Sequence, residues 1–410
     1  MMSNIKNIPK RRFSNFEDEW EEKKSEELSN IVRGASPRPI QDPKWFDEKS
    51  EIGWLRISDV SEQDGRIYKL EQRLSELGQQ KTRVVHEPHL LMSIAATVGK
   101  PVINYVKTGV HDGFLIFLEP KFNLEFMFKW LEMYKNQWKR YGQPGSQLNL
   151  NSDIVKNQTI ILPECNEQVA IGSFFQLLDQ SITLHQHKLD KLKNLKKAYL
   201  AELFPVEGER VPKRRFPGFE GEWEEKKLGE VVEFKRGLTY TPSSISKTGI
   251  RVLRSSNIDE DQFVLKEDDV FVDESKISIP FVEKGDILIT AANGSSRLVG
   301  KHAIIDSTEK MVHGGFMLLA KSDQYKFINA LLSSNWYTHF IDRSVLGGNG
   351  AIGNLSKSDL ENEVPLFPSD EEQKQIGEFF QKIDKSISLQ QQKLDKLKDL
   401  KKAYLNELFV

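Results

Sequence analysis

The chain has 410 residues, a formal net charge of −2 at pH 7 and 38% hydrophobic residues. This length and apolar content allow two domain cores. The near-neutral charge excludes a uniformly basic coat for nucleic acid, so such binding would need local patches. There is no apolar run of membrane-spanning length, no secretory h-region at the N-terminus and one cysteine, Cys165, which excludes an intrachain disulfide. We therefore expect a cytoplasmic protein without a membrane partner.

Two sequence blocks occur twice in the chain. Residues 8–24 read IPKRRFSNFEDEWEEKK and return at residues 211–227 as VPKRRFPGFEGEWEEKK. Residues 188–200 read KLDKLKNLKKAYL and return at residues 393–405 with one change, Asn to Asp. A repeat of about 200 residues is too long for a solenoid unit. The pattern predicts two tandem half-chains, each with a globular domain followed by a helix.

The first domain, residues 20–163, and the second domain, residues 223–368, differ in most residues but share landmarks in the same order. Alternating Val, Ile and Phe between Gly and Asn turns predicts curved antiparallel strands with helices packed against them, an α+β fold. The landmarks that we align are the Leu-Arg pairs Leu55-Arg56 and Leu253-Arg254, the Gly-Lys pairs Gly99-Lys100 and Gly300-Lys301, and the segments HDGF (residues 111–114) and HGGF (residues 313–316).

Apolar residues in each repeated C-terminal block recur at steps of three and four, which predicts one amphipathic helix per block. The first helix should run from about residue 167 to residue 203, and Ser369 with Glu372 predicts a capping box at the start of the second. Each helix can cover the apolar stripe of the other as a coiled coil. We predict an antiparallel pair, because His185 and Gln390 lie near the two helix midpoints and can then face each other.

Polar, glycine-rich loops in both domains carry side chains that can read base edges. Arg suits guanine and Asn or Gln suits adenine in the major groove, because each can form a bidentate pair there. The candidate DNA-binding residues are Arg56, Lys100, Gln143, Gln147, Arg254, Asn257, Asn293, Ser295, Arg297, Lys301 and Asn349. The basic clusters at residues 10–12 and 213–215 are a second possible source of DNA contacts, and solvated linker charge explains them equally well.

Motifs for catalysis are missing. The chain has no Pro-Pro, so it lacks the Pro-Pro turn that an adenine amino-methyltransferase needs. Neither Gly-Lys pair has P-loop spacing. The histidines and the cysteine show no metal-ligand spacing. His111 and His313 lack a nearby nucleophile. We therefore expect a non-catalytic chain with no metal and no cofactor of its own.

The whole chain resembles the specificity subunit of Type I restriction-modification enzymes. The resemblance rests on IGSFFQLLDQSI…KLDKLKNLKKAYLAELF, on its repeat IGEFFQKIDKSI…KLDKLKDLKKAYLNELF, and on GDILIT…VGK and HGGF in the second domain. It implies an α+β fold with two tandem target-recognition domains separated by two long helices, which form an antiparallel coiled coil with a pseudo-twofold internal repeat. The expected division is a first recognition domain at 1–164, a helical region at 165–207, a second recognition domain at 208–368 and a second helical region at 369–410.

The resemblance also implies partners. Each recognition domain is expected to read one half of a split site in double-stranded DNA, and the helices are expected to fix the gap between the two halves. The expected location is the bacterial cytoplasm. Two modification subunits, which bind S-adenosylmethionine and methylate adenine at N6, and restriction subunits, which use ATP and Mg²⁺, are the expected protein partners. The expected subunit-docking positions on the helices are Leu178, Ile182, Leu189, Leu192, Tyr199, Ile383, Ile387, Leu394, Leu397 and Tyr404.

An alternative from another class stays open at this point. The chain could be a protein-interaction scaffold, with two binding domains joined by a coiled coil and no DNA partner. The near-neutral charge favours the scaffold slightly, whereas the loop chemistry and the resemblance oppose it. An autonomous nuclease or methyltransferase is disfavoured by the missing motifs.

Overall fold

The computed structural model describes residues 7–94, 98–141, 150–345 and 353–410. The chain divides into two compact units, which we call the first unit (residues 1–185 and 394–410) and the second unit (residues 186–393). Each unit therefore combines one globular domain with the start of the long helix that follows it and the end of the other long helix.

The first domain is built from short strands and short helices. The strands are β1 (Glu21–Lys24), β2 (Asn30–Arg33), β3 (Gly53–Leu55), β4 (Arg66–Ile67), β5 (Arg83–Val85), β6 (Leu90–Ser93), β7 (Pro101–Asn104), β8 (Thr108–Val110), β9 (Phe114–Leu118) and β10 (Thr159–Leu162). The helices are α1 (Ser25–Leu28), α2 (Ile57–Glu62), α3 (Glu76–Gln80), α4 (Leu124–Tyr134) and α5 (Ser152–Lys156).

A five-stranded sheet of order β2-β9-β6-β7-β4 forms the centre of the first domain, with a three-stranded sheet of order β3-β8-β5 beside it. The β3–β8 and β4–β7 pairs are parallel, so the antiparallel prediction holds only for the remaining pairs of these sheets. One core joins this domain to its helices, because Phe117, Phe126, Phe175 and Phe409 are buried in the same cluster. The helix α4 ends at Tyr134 and continues as a 3₁₀ helix, Lys135–Tyr141.

The second domain repeats this frame with shorter elements. Its strands are β11 (Glu224–Glu225), β12 (Glu233–Arg236), β13 (Ile245–Ser246), β14 (Ile250–Leu253), β15 (Ile258–Asp259), β16 (Gln262–Phe263), β17 (Val270–Val272), β18 (Ile287–Thr290), β19 (Ala292–Asn293), β20 (His302–Ile304), β21 (Met311–His313), β22 (Met317–Lys321), β23 (Gly353–Asn354) and β24 (Leu366–Phe367). Its helices are α7 (Leu228–Val231), α8 (Tyr325–Leu332), α9 (Asn335–Val345) and α10 (Lys357–Asn362).

Two four-stranded sheets, of orders β12-β22-β18-β20 and β13-β17-β14-β21, form the second domain. The β14–β21 pair is parallel, like its counterpart β3–β8 in the first domain. The helical segment from Tyr325 to Val345 is broken between α8 and α9, where the Ser334 hydroxyl donates to the Leu331 carbonyl at 2.7 Å. Side-chain bonds of this kind compete with the helical backbone.

The two long helices are α6 (Cys165–Leu203) and α11 (Asp370–Glu407), which confirms the helix prediction. The predicted capping box of α11 is wrong in one half. The amide of Glu372 donates to the Ser369 hydroxyl at 3.4 Å, but the Glu372 carboxylate binds the guanidinium of Arg215 instead of the cap backbone.

In the first unit, the start of α6 packs antiparallel to the end of α11. The ring centroids of Phe174 and Tyr404 are 5.0 Å apart, and further along α6 the Asp179 carboxylate lies 2.9 Å from Lys401 Nζ. Later positions on α6 thus meet earlier positions on α11.

The second unit shows the same direction in the other helix ends. Tyr199 and Phe379 have ring centroids 4.9 Å apart, and Lys196 Nζ lies 2.8 Å from Asp384. The predicted antiparallel pairing of the long helices is therefore confirmed in both units. The opposition of His185 and Gln390 stays a prediction. None of the helices that the structure describes combines the length and the apolar character of a membrane span.

Candidate nucleic-acid interface

The basic cluster of the first repeated block binds helix ends within the first unit. Nε and Nη2 of Arg12 each donate to the Glu167 carboxylate at 2.7 Å, and this glutamate side chain is fully buried at the start of α6. Arg11 lies 2.5 Å from Glu407 at the end of α11, and its guanidinium stacks on the ring of Tyr404. The block therefore ties the start of one helix to the end of the other.

The second block makes the same contacts within the second unit. Arg215 binds the buried Glu372 carboxylate at 2.7 and 2.6 Å, while Arg214 lies 2.5 Å from Glu202 and stacks on Tyr199. All four arginines of the two clusters pair with carboxylates at the helix ends. Arg12 and Arg215 are shielded from solvent and act as structural clamps, whereas Arg11 and Arg214 are both 57% exposed.

The parallel strand pairs fix the correspondence between the two domains. Leu55 lies opposite Val110 across β3–β8, and Leu253 lies opposite His313 across β14–β21. Since Leu55 and Leu253 correspond, the counterpart of His313 is Val110 and not His111. The alignment of HDGF with HGGF is wrong by one residue, because it matched the two histidines, whereas the strand register matches His313 to Val110.

This shift changes the partner of Phe316. The Phe316 carbonyl accepts from the Ala291 amide at 2.9 Å, and the same bond in the first domain runs from the Ile94 amide to the Gly113 carbonyl at 2.9 Å. Glycine in the first domain therefore stands where the second domain has an exposed phenylalanine.

The alignment of the two Gly-Lys pairs is confirmed. Gly99 and Gly300 have φ values of 78° and 84°, in the left-handed region that favours glycine. The amide of Gly99 donates to the Ser93 carbonyl at 2.8 Å, and that of Gly300 to the Thr290 carbonyl at 2.9 Å. These glycines turn the chain at the same place in both sheets.

A cleft of about 670 Å³ opens on the second domain. Its walls come from four segments that the sheets bring together, namely the strand that follows β12, the turn after β14, the β19 loop and the Gly-Gly-Phe segment before β22. Side chains that line it include Tyr240, Arg254, Ser255, Asn293 and Phe316. A volume of this size accommodates a small ligand or part of a larger one.

Arg254 is the cation of this cleft. Its side chain is exposed, and its guanidinium has no hydrogen-bond or ion-pair partner among the residues that the structure describes. Its counterpart Arg56 is engaged differently, since the Arg56 guanidinium lies 2.8 Å from the Asp59 carboxylate. Arg254 is therefore available for a ligand, whereas Arg56 must give up an ion pair to contact one.

Two predicted base-reading amides are used inside the fold. Asn257 is fully buried, where its amide nitrogen donates to Val264 and Asp269 and its oxygen accepts from the Arg254 amide. The Asn293 amide nitrogen donates to Ser255 Oγ at 3.0 Å, and its oxygen accepts from the backbone of the β19 loop. These residues shape the cleft, and the prediction that Asn257 reads bases is wrong because a fully bonded, buried amide cannot reach DNA.

The remaining DNA-binding candidates are scattered. Ser295 and Arg297 are exposed beside the cleft, and Lys301 is half-buried. Lys100 donates to the Val60 carbonyl at 3.1 Å, which holds it against its own domain. Gln143, Gln147 and Asn349 lie outside the described residues.

The corresponding region of the first domain contains an acid instead of an aromatic ring. Asp112 accepts from Ser36 Oγ at 2.8 Å and from Arg38 at 2.7 Å, beside His111. Burial opposes ionisation of Asp112, but the Ser36 hydrogen bond and the charges of His111 and Arg38 outweigh it, so the pKa of Asp112 lies below its usual value. Burial lowers the pKa of His111. At neutral pH this region presents an ionised acceptor.

No group of three metal-ligating side chains occurs in the part of the chain that the structure describes. His313 is buried, and its Nε2 lies 3.2 Å from the Lys235 carbonyl, a structural contact within the second domain.

The expected docking positions on the long helices fall into two groups. Five are buried and five are half-buried in the helix seam, so none presents a fully exposed side chain. The buried group is Leu178, Leu189, Ile383, Ile387 and Leu394, and the half-buried group is Ile182, Leu192, Tyr199, Leu397 and Tyr404. Other leucines are exposed at equivalent repeat positions, with Leu184 and Leu389 at 53% and 57% and Leu195 and Leu400 both at 42%.

Sequence reasoning missed the aromatic part of the cleft. Tyr240 and Phe316 line it, and Phe316 appeared in the sequence only as an alignment landmark. The available signal was the Gly-Gly pair directly before Phe316, because two glycines before a large apolar residue are typical of a turn that presents it.

The two domains share one fold but carry different polar side chains at corresponding positions. This arrangement defines a recognition protein with two binding surfaces. Both halves match the family model described as "Type I restriction modification DNA specificity domain", over residues 17–194 and 220–399. The chain belongs to this family and is a DNA-recognition subunit of a Type I restriction-modification system.

Relatives with names in the same class cover most of the chain. The Type I restriction enzyme MjaVIII specificity subunit of Methanocaldococcus jannaschii is 23% identical over 74% of this chain and 70% of its own length. The putative Type I restriction enzyme MjaX specificity subunit of the same organism is 22% identical over 98% of this chain and 95% of its own. The crystal structure of the Type I restriction-modification S subunit from M. genitalium has the same fold, with a TM-score of 0.67 at 14% identity, covering 98% of this chain and 99% of that one.

Proposed function

We propose that this subunit reads a DNA site in two halves, one with each domain, and positions adenine-N6 methyltransferase subunits on that site. The observation that carries the proposal is the contrast between two corresponding surfaces in one frame. The second domain presents the free guanidinium of Arg254 beside Phe316, whereas the first domain presents the carboxylate of Asp112 held by Ser36 and Arg38. One scaffold with two chemistries suits the recognition of two different half-sites.

The two surfaces fit different base edges. A free guanidinium can bind O6 and N7 of guanine in the major groove, and a carboxylate accepts from the N4 amino group of cytosine. The lowered pKa of Asp112 keeps it an acceptor at neutral pH. Arg254 and Asp112 are therefore the residues that we assign to base reading in the second and first domains.

The partners that we propose are double-stranded DNA, two modification subunits and restriction subunits. Identical modification subunits require equivalent docking positions on both halves of the chain. The exposed leucine pairs Leu184/Leu389 and Leu195/Leu400 meet that requirement, because each pair occupies the same position of the repeat. These leucines replace the seam residues as the proposed docking positions.

Chemistry is assigned to the partners in this proposal. S-adenosylmethionine would bind the modification subunits, and ATP with Mg²⁺ would bind the restriction subunits, while this chain acts without catalysis in a bacterial cytoplasm. One support is that the buried carboxylates Glu167 and Glu372 are held in structural pairs with Arg12 and Arg215.

Single-molecule methylation sequencing tests the proposal directly. Host DNA is sequenced with and without this gene while the modification subunit is expressed in both strains. We expect a split motif with N6-methyladenine on both strands that disappears on deletion. Unchanged methylation would contradict the proposed role.

The scaffold alternative predicts a different result in a DNA-binding experiment. A DNA reader loses affinity steeply as salt rises, because its cations release counterions from phosphates. A gel shift of the motif-containing duplex with the subunit and its modification partners, repeated at rising salt, should show this slope. Absence of any shift at low salt would favour the scaffold.

A further inference from the structure

Phe316 is an apolar ring that the fold leaves in water. Its side chain is 75% exposed, at the rim of the cleft that it lines with Tyr240 and Arg254. Its backbone is held firmly, since the Phe316 carbonyl accepts from the amides of Ala291 and Ala292 at 2.9 and 3.0 Å. The backbone that carries the ring is therefore held at a fixed place on the surface.

The frame of the domain does not require this ring. Gly113 takes the same position in the first domain and accepts the same backbone bond without any side chain. Exposed single apolar residues are common on protein surfaces. This one lies in a concave site beside the guanidinium of Arg254, which has no partner among the described residues, and this indicates a ligand with both an aromatic face and polar groups.

The repeat distinguishes between a protein ligand and DNA. Docking positions for two identical subunits should occur in both halves, as the exposed leucines Leu184 and Leu389 do. Phe316 occurs in one half only, since Gly113 replaces it in the other. Its ligand is therefore specific to one half of the molecule, and the ligand expected to differ between the halves is the DNA half-site.

We propose that Phe316 is a wedge that inserts between base pairs of the DNA half-site bound by the second domain, with Arg254 beside it at the base edges. Inserted Phe side chains unstack a base step and kink the duplex in proteins that bind the minor groove, whereas Phe316 enters from the major groove, the groove that Arg254 reads. The half-site bound by the first domain is read without such a wedge. This inference rests on the proposed function, because it requires a half-site for each domain.

The test uses the subunit assembled with its modification subunits and a duplex that carries the methylated motif. 2-Aminopurine, whose fluorescence rises on unstacking, replaces one base at a time in both half-sites, except at the two methylated adenines and the bases beside them, because methyltransferases flip their target base out of the stack. We expect a severalfold rise at one step of the half-site of the second domain and none in the other half. Phe316→Ala should abolish the rise and weaken binding on the order of 10-fold, while Phe316→Trp should retain it.

Leu265→Ala is the matched control, because Leu265 is a partly exposed apolar residue of the same domain outside the cleft. It should leave fluorescence and affinity unchanged. Tight, motif-specific binding without any fluorescence rise would overturn the wedge and leave the proposed function standing. Loss of modification-subunit binding in Phe316→Ala would instead make Phe316 a protein contact, which also overturns the wedge. Failure of the unaltered complex to prefer the motif over other DNA would overturn the proposed function itself.

Discussion

The two adjacent arginines of each repeated block have different surroundings. Arg215 binds Glu372, and these side chains are 14% and 1% exposed, whereas the Arg214–Glu202 pair is 57% and 38% exposed. A hydrogen bond to Glu372 raises the pKa of Arg215, with burial opposing it. Only the Arg215 pair is shielded from solvent, so the neighbours should differ in their effect on stability.

Arg215→Ala should lower the free energy of unfolding by about 3–5 kcal/mol, because it leaves the Glu372 charge buried without a partner. Arg214→Ala is the matched control, and an exposed pair contributes about 0–1 kcal/mol. Urea unfolding followed by circular dichroism measures both. Equal losses for the two variants would contradict the assignment of Arg215 as the buried clamp.

Arg254 and Arg56 occupy corresponding positions but should respond oppositely to substitution. Arg254→Ala should leave stability unchanged and reduce discrimination at one base of the second half-site by about 1–3 kcal/mol. Arg56→Ala removes an ion pair with Asp59 at the start of α2 and should lower stability instead. Binding titrations with single-base variants of the motif, beside thermal unfolding, separate the two effects. An Arg254→Ala complex with unaltered discrimination would exclude Arg254 from base reading.

At the scale of elements, a buried charge cluster joins the first domain to both long helices within the first unit. Lys129 on α4 and Lys401 on α11 both contact Asp179 on α6, at 2.6 and 2.9 Å. Glu132 also binds both lysines. Burial opposes ionisation of Asp179, but the charges of Lys129 and Lys401 outweigh it and hold the pKa of Asp179 below its ordinary value of 3.8.

The sign of the pH dependence follows from that lowered pKa. An aspartate with a depressed pKa in the folded state stabilises the fold above its unfolded pKa, and this contribution is lost as the pH falls below about 4. Asp179→Asn should therefore lower stability at neutral pH by about 3–5 kcal/mol and flatten the acid limb of the stability curve. The counterpart Asp384 is partly exposed beside Lys196, so Asp384→Asn should cost about 1 kcal/mol or less. Urea midpoints measured from about pH 3 to about pH 7, a range that includes the titration of carboxylates, check both variants. An unchanged acid limb in Asp179→Asn would contradict the cluster's role.

Exposed and buried leucines of the long helices should act on different properties. Leu389→Asp places a charge on an exposed face, so it should preserve the unfolding midpoint and remove one bound modification subunit. The counterpart Leu184→Asp should remove the other, and the double variant should bind none. Gln392→Asp, on an exposed position of the same helix, is the control. Sedimentation velocity reports the stoichiometry, and full occupancy of the double variant would exclude this face from docking.

The long helices and the repeat could be predicted from the sequence because they depend on periodicity and identity, which are local signals. The cleft of the second domain could not be predicted from such local signals. Whether His111 or Val110 corresponds to His313 depends on which residue lies opposite in a parallel strand pair, and a shift of one residue reverses every side chain. The same limit made Asn257 look available, since its burial is set by Val264 and Asp269 further along the chain.

At the scale of the whole molecule, the chain enters and leaves each domain through one pair of antiparallel strands. The strands β11 and β24, which enclose the second domain, pair antiparallel with Glu224 opposite Phe367. The entry and exit of the domain are thus side by side, while the Arg215–Glu372 clamp lies outside the paired strands. A domain with adjacent ends can be replaced without cutting the Arg215–Glu372 clamp.

Replacing residues 223–368 by the corresponding domain of another family member should therefore change one half of the recognised sequence and leave the other half intact. The reason is that Arg254, Phe316 and the cleft travel with the exchanged segment, whereas Asp112 and Ser36 remain in the first domain. Methylation sequencing of cells that express the hybrid with the modification subunit reads both halves at once. The reciprocal exchange of residues 20–163 is the control and should alter only the opposite half. If either exchange changed both halves, the domains would not read DNA independently, and base recognition would have to be assigned to the molecule as a whole.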